Sequence, residues 1–228
     1  MSHLLSINVT KIKLFCNKFL LYLLQNRLLF MESVDKLIEN HVNNIPRGTL
    51  FFPEDFSDYG SSGAVRICLH RLTEKGQIRR VAQGIYVIPE ISRLVGELIP
   101  TAEEVAYAIA KRDKARIIPT GVYALNALGL STQVPMKAVY LTDGSPRLIK
   151  IGNRTILFKK TNPKNLSVQG EISSLTIQAL KQIGDGNVRA DEEKRIVEIL
   201  KKEDKEKLKN DIKLAPVWIA KLMKKALQ

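Results

Sequence analysis

The chain has 228 residues, of which 45% are hydrophobic and 26% charged, so it is long enough for two small domains and too apolar to be disordered throughout. Its 36 lysines and arginines against 23 acidic residues give a formal net charge of +13, which favours a polyanionic partner such as DNA. Two cysteines, Cys16 and Cys68, are too few for a disulfide framework, so we expect free thiols in a reducing cytosol.

The charge is unevenly distributed along the chain. Residues 1–30 carry +4, residues 31–98 carry −1 and residues 99–228 carry +10. Within the nearly neutral middle part, residues 62–84 alone carry +4, and most of the acidic residues belong to the segments before them. Such polarity can orient a module on duplex DNA, although an ordinary solvated face carries the same pattern.

The first thirty residues contain an apolar run, Phe19 to Leu24, that is too short for a membrane span or for the core of a signal peptide. Met31 is followed at once by a helix opening with Ser33 as its cap. We therefore interpret residues 1–30 as an extension upstream of the true translation start. An amphipathic membrane or partner helix is the alternative interpretation.

The next segment predicts three short elements. A helix over residues 33–45 has one apolar side and places His41 near it, where a hydrogen-bonded core histidine is expected rather than a metal ligand. Pro46 and Gly48 end this helix, a strand follows at residues 49–52, and a short helix follows at residues 53–59.

Residues 61–75 predict a helix with one buried face. Four apolar residues recur at i, i+3, i+4 and i+7: Val65, Cys68, Leu69 and Leu72. A serine can cap the start of the helix, and Gly76 can end it in the left-handed conformation. The predicted DNA-contacting residues lie at the start of the helix and on its free face: Ser61, Ser62, Arg66, Ile67, His70 and Arg71.

A basic hairpin follows this helix. The residues around Ala82-Gln83-Gly84 alternate, which predicts two short strands joined by a tight turn, with Arg79 and Arg80 just before it. A helix with a basic free face followed by a basic hairpin is what a winged helix-turn-helix presents to DNA. We predict that the two arginines serve phosphates or the minor groove. Since alternation puts the two arginines on opposite sheet faces, we expect one of them to make most of the DNA contact and the other to pack or pair with an acid.

The second half mixes helices and strands after a connecting segment at residues 90–98, and we place a domain boundary near Ile99. The predicted strands lie at residues 115–118, 138–142, 147–151 and 154–160, the last two joined through Gly152-Asn153. The predicted helices lie at residues 102–110, 120–130, 171–183, 191–209 and 216–227, of which 191–209 is a solvated charged helix. The fold class is therefore α+β.

Four carboxylates in the second half raise the alternative of a metal nuclease: Glu103, Glu104, Asp113 and Asp143. The strand at residues 155–160 lacks the acid before its lysine that this chemistry needs, and the two glutamates are explained by the electrostatics of a helix start. There is also no phosphate-binding glycine loop. We therefore expect no enzyme activity, no metal and no cofactor.

Four segments together carry a resemblance to a known family. They are the wing from Gly76 to Tyr86, the Pro-Thr-Ala-Glu-Glu helix start, the segment from Ile118 to Asn126, and the ending from Asp211 to Trp218. In these segments the chain resembles AbiEi-type antitoxins of bacterial type IV toxin–antitoxin, or abortive-infection, systems. The resemblance covers about residues 31–228.

The resemblance implies a winged-helix domain at residues 31–98 that represses its own operon, and a mixed α/β domain with a helical tail at residues 99–228 that carries antitoxin activity. The toxin would be a nucleotidyltransferase-like protein encoded by an adjacent gene, and no stable complex with it is expected. We expect a monomer or weak dimer in the cytoplasm that binds double-stranded operator DNA and no membrane. The alternative is a stand-alone winged-helix transcriptional regulator whose second domain senses a ligand or a partner.

Overall fold

The computed structural model describes residues 33–133 and 135–228, so the interpretations of residues 1–30 and of Cys16 lie outside the described residues. The first elements in chain order are α1 (Val34–Asn44), β1 (Leu50–Phe51), a 3-10 helix (Pro53–Tyr59), α2 (Ser62–Glu74), β2 (Arg79–Ala82) and β3 (Ile85–Val87). The three strands form an antiparallel sheet in the order β1-β3-β2. The helices, the strand and the hairpin predicted over residues 33–87 are all present.

Local chemistry explains where these elements begin and end. The Ser33 side chain accepts a hydrogen bond from the backbone of Lys36 and caps α1. The whole predicted apolar stripe of α2 is buried and packs against Ile38 and Val42 of α1. His41 is exposed rather than in the core, and its Nδ1 lies 2.9 Å from the Tyr59 hydroxyl.

The segment predicted as a plain connection is in fact a second hairpin, β4 (Glu90–Ser92) and β5 (Gly96–Leu98), whose strands pair with each other and with no other strand of the described residues. Gly96 has a φ of 78°, which only glycine adopts readily and which lets the chain turn back. The hairpin has no buried face: Ile91 is 71% exposed and Leu94 is 95% exposed. Without a buried face there is no in–out pattern to predict a strand from.

The next part of the chain builds a four-stranded sheet. Its elements are α3 (Ala102–Arg112), β6 (Ile117–Pro119), α4 (Val122–Ala127), β7 (Lys137–Thr142), β8 (Arg147–Ile151) and β9 (Arg154–Lys160). The strand order is β6-β7-β9-β8, with β7 and β9 parallel and the other pairs antiparallel. Gly152 has a φ of 52°, as the predicted turn between β8 and β9 requires.

The chain ends in helices with their own buried cluster. They are a 3-10 helix (Pro163–Leu166), α5 (Glu171–Ile183), α6 (Ala190–Leu200), α7 (Lys205–Ile212), α8 (Val217–Lys224) and a 3-10 helix (Lys225–Leu227). The prediction of one helix over residues 191–209 is wrong, because Asp204 accepts hydrogen bonds from the backbones of Glu206 and Lys207 and starts a new helix there. No helix in the described ranges is long and apolar enough to cross a membrane.

The α+β fold class is confirmed. The core of the second half also contains buried residues from the first half. Phe52, which follows β1, and Ile85 of β3 are 4% and 3% exposed and belong to one buried cluster with α3 and the four-stranded sheet. Arg112 of α3 lies over the Phe52 ring, 4.5 Å from its centroid. The two halves therefore share buried surface across the boundary predicted near Ile99.

Candidate nucleic-acid interface

The α2 helix presents a free face because its other side is fixed in the core. The Ser61 side chain accepts a hydrogen bond from the backbone of Ala64 and caps the helix. Cys68 lies in the buried stripe, where burial raises the pKa of its thiol to about 11, so the thiol stays protonated at neutral pH. The free face carries Ser62, Arg66, Ile67 and His70, all of them exposed.

Arg66 and Ile67 are the side chains of this face best placed to meet a ligand. Ile67 is 55% exposed although it is a large apolar residue on a well-packed helix. Among the described residues, Arg66 forms no hydrogen bond and no ion pair through its guanidinium. Since a guanidinium can pair with guanine and an aliphatic side chain can meet a thymine methyl, this pair is suited to the edges of bases.

The other two basic residues of the predicted set are engaged within the protein. Arg71 donates to Asp35 of α1 at 2.6 Å, and the His70 ring lies 3.5 Å from the Glu74 carboxylate one turn later. Lys75 likewise lies 3.7 Å from Glu39 of α1. The acidic side of α1 therefore faces the C-terminal half of α2 and neutralises part of its charge.

The two arginines of the basic hairpin have different surroundings. Arg79 forms an ion pair with Glu97 of the β4–β5 hairpin. The Arg80 side chain is exposed, and its Nε lies 3.4 Å from the carbonyl oxygen of Ala82. The register of β2 against β3 shifts between Arg80 and Ala82, so regular alternation ends there. Both arginines are exposed, and Arg79 is thus the one that pairs with an acid, whereas Arg80 has no acidic partner among the described residues.

The basic hairpin packs against the second half of the chain. A groove of about 430 Å³ lies between β2 and the β8–β9 hairpin, and three arginines line it: Arg79, Arg80 and Arg154. Sequence analysis missed Arg154 and this contact. The available signal was the Gly152-Asn153 turn with a basic residue beside it, but nothing in the sequence places that turn next to β2.

The four carboxylates of the nuclease alternative are engaged separately. Glu104 accepts a hydrogen bond from the backbone of Thr101, the residue that caps α3, and Glu103 accepts from the Tyr123 hydroxyl at 2.7 Å. Asp113 pairs with Arg112 and Arg147. Hydrogen bonds from the backbone and side chain of Arg116 lower the pKa of Asp143. Over the described residues, no three His, Cys, Asp or Glu side chains are grouped to hold a metal ion.

Comparison with known proteins gives a family but no function. The model of a family described as a family of unknown function (DUF6088) matches residues 37–208. No curated protein matches the chain. Among solved structures, the chain is similar to the crystal structure of the RV2827C protein from Mycobacterium tuberculosis, at 11% identity and a TM-score of 0.41, over 85% of this chain and 81% of that one. That similarity is too low to support a conclusion about this chain.

Proposed function

The chain belongs to DUF6088, a family of unknown function, and we propose that it is a DNA-binding antitoxin that represses its own toxin–antitoxin operon. The free face of α2, with Arg66 and Ile67 side by side, is the observation that carries this proposal. A helix held by its apolar stripe can enter the major groove with such a face toward the bases.

The order of elements around α2 supports a winged helix-turn-helix. A helix, a short strand, a short helix, α2 and a two-stranded hairpin follow one another, and the first strand joins the hairpin in one sheet. In such a module the last helix reads the groove and the hairpin lies beside it. Arg80 and Arg154 on the groove next to β2 would then meet phosphates of the same duplex.

The second half would supply the antitoxin activity. Residues 99–228 carry +10 and a helical cluster of their own, so they offer a surface separate from α2. The functional partner would be a nucleotidyltransferase-like toxin encoded by an adjacent gene. The protein would counter this toxin without forming a stable complex with it. The protein would act in the cytoplasm, as a monomer or weak dimer, without enzyme activity. A stand-alone regulator is the rival, and a genomic neighbour of the toxin type separates the two.

The test is a titration of the full chain against the promoter fragment of its own operon and a scrambled fragment of equal length. We expect tighter binding to the promoter. Arg66→Ala should cost about 1–3 kcal/mol on the promoter and relax one base preference, because one bidentate base contact is lost. Lys202→Ala removes the same charge from an exposed site between α6 and α7 and serves as the control. Equal affinity for the two fragments, or an Arg66→Ala variant that binds as the parent does, would refute the proposal.

A further inference from the structure

The β4–β5 hairpin carries a large share of the exposed apolar surface. Of the ten large apolar residues that are exposed in the described part of the chain, five lie within nine consecutive positions of this hairpin and its end. They are Ile91, Leu94, Val95, Leu98 and Ile99, with exposed fractions between 41% and 95%. Exposed apolar residues that are scattered singly need no explanation, but a cluster of this kind marks an interaction site.

The hairpin is also incomplete as a sheet. β4 and β5 pair with each other and with no other strand of the described residues, so each strand keeps one edge free of strand pairing. A two-stranded hairpin is marginally stable in water, and three or more strands with a covered apolar face are needed for a stable sheet. A second copy of the hairpin would supply both missing parts, because it brings two more strands and an equal apolar surface.

The charges of the hairpin are complementary to those of a second hairpin. Residues 90–99 carry a formal charge of −1 in a chain of +13, so two copies repel each other less here than over the rest of their surface. Glu97 is paired with Arg79, whereas neither Glu90 nor Arg93 forms an ion pair among the described residues. Glu90 lies at the base of the hairpin and Arg93 at its tip. When two hairpins lie antiparallel, Arg93 of each copy can therefore pair with Glu90 of the other.

We propose that the β4–β5 hairpin is a dimer interface, through which two copies of the chain associate about a two-fold axis. The five apolar side chains present about 500 Å² on each copy, so two copies together reach the roughly 1,000 Å² that a specific interface needs. Such a contact closes on itself, because it uses the same patch of both copies. Duplex DNA suits the hairpin less well, since its two glutamates outnumber its one arginine and apolar side chains give phosphates no hydrogen bond. The interface goes beyond the proposed function, which includes both a monomer and a weak dimer.

The molecular mass of the full chain tests this interface, measured without DNA by sedimentation equilibrium from about 1 to about 100 μM. We expect a reversible equilibrium between monomer and dimer in this range, because a small interface gives a weak complex. Leu94→Ser and Ile91→Ser should each raise the dissociation constant by about tenfold or more, since each removes an apolar side chain that the dimer buries. Val217→Ser is the matched control and should leave the dissociation constant unchanged, because Val217 is 89% exposed and lies in α8, outside the hairpin.

Exchange of the two charges tests the two-fold arrangement. Arg93→Glu and Glu90→Arg should each weaken the dimer, and the two changes together should restore it, because the ion pair forms again with its signs exchanged. A double variant as weak as the single ones would contradict the antiparallel arrangement.

Three results would overturn the interface itself. They are a parent chain that stays monomeric at every concentration, a dimer that Leu94→Ser and Ile91→Ser both retain, and a mass that grows beyond the dimer, as an open contact gives. Loss of promoter binding by Leu94→Ser without any change in mass would assign the hairpin to DNA and would also refute the dimer. Because the mass is measured without DNA, the interface and the operator proposal fail separately.

Discussion

At the scale of residues, the sequence predicts which side chains lie on the free face of α2 but not which basic side chains form ion pairs within the protein. Exposure of Arg66, Ile67 and His70 follows from helical periodicity alone. The ion pairs of Arg71 with Asp35 and of Arg79 with Glu97 join residues that are 36 and 18 positions apart. Such pairs depend on how elements pack, which periodicity does not contain. Because the charges of Arg71 and Arg79 are already balanced within the protein, these two arginines should contribute less to DNA binding.

The difference between Arg79 and Arg80 makes a prediction about salt dependence. Arg80→Ala should weaken binding to all DNA sequences alike and make the slope of log K against log salt shallower by about 1, because one phosphate contact and its released counterion are lost. Arg79→Ala should change the slope less, since Glu97 already neutralises that guanidinium. Affinity measured at several salt concentrations on promoter and scrambled DNA checks this. A loss confined to the promoter would contradict a phosphate role for Arg80.

At the scale of elements, predictions from the sequence are correct where a cap or a glycine marks the end. The β8–β9 hairpin and α5 have the predicted bounds, and α2 differs from its prediction only at its ends. Errors occur where a cap lies inside a charged segment, among many similar side chains, or where an element has no buried face. The charged segment from residue 191 to 209 breaks because Asp204 caps a new helix, which lets Leu208 turn into the core. The β4–β5 hairpin has no buried face, so no in–out pattern predicts it.

One contact between elements supports a stability prediction. Asp211 of α7 is fully buried, and its carboxylate accepts hydrogen bonds from the backbone nitrogens of Gln169 at 2.9 Å and Gly170 at 2.8 Å, at the start of α5. Asp211→Ala leaves both backbone donors without their carboxylate, including the buried nitrogen of Gly170, so it should lower the free energy of unfolding by about 2–4 kcal/mol.

Urea denaturation of the full chain measures this loss. Asp204→Ala is the matched control, because it removes an exposed helix cap and should cost about 1 kcal/mol. Equal costs for the two variants would mean that the burial of Asp211 contributes nothing to its role.

At the scale of the whole molecule, the boundary predicted near Ile99 follows from composition, whereas the packing across it does not. The two halves differ in charge and in pattern, and each has a buried cluster of its own. A third cluster includes Phe52 and Ile85 together with α3 and the large sheet, so that cutting the chain near Ile99 would expose it. Point variants of the full chain are therefore a cleaner test of modular function than separated halves.

Operator binding and toxin neutralisation should be separable within the intact chain. A double variant, Arg66→Ala with Ile67→Ala, changes two exposed side chains of α2 and leaves the shared core intact, so it should fold as the parent does. In cells that express the toxin, we expect this variant to lose repression of a reporter under its own promoter while it still restores growth, because antitoxin activity would lie in residues 99–228. Growth and reporter output in the same cells give both readouts, and Lys202→Ala should retain both. Loss of rescue by a double variant that is folded and abundant would mean that antitoxin activity requires the free face of α2, and would overturn the assignment of that activity to the second half.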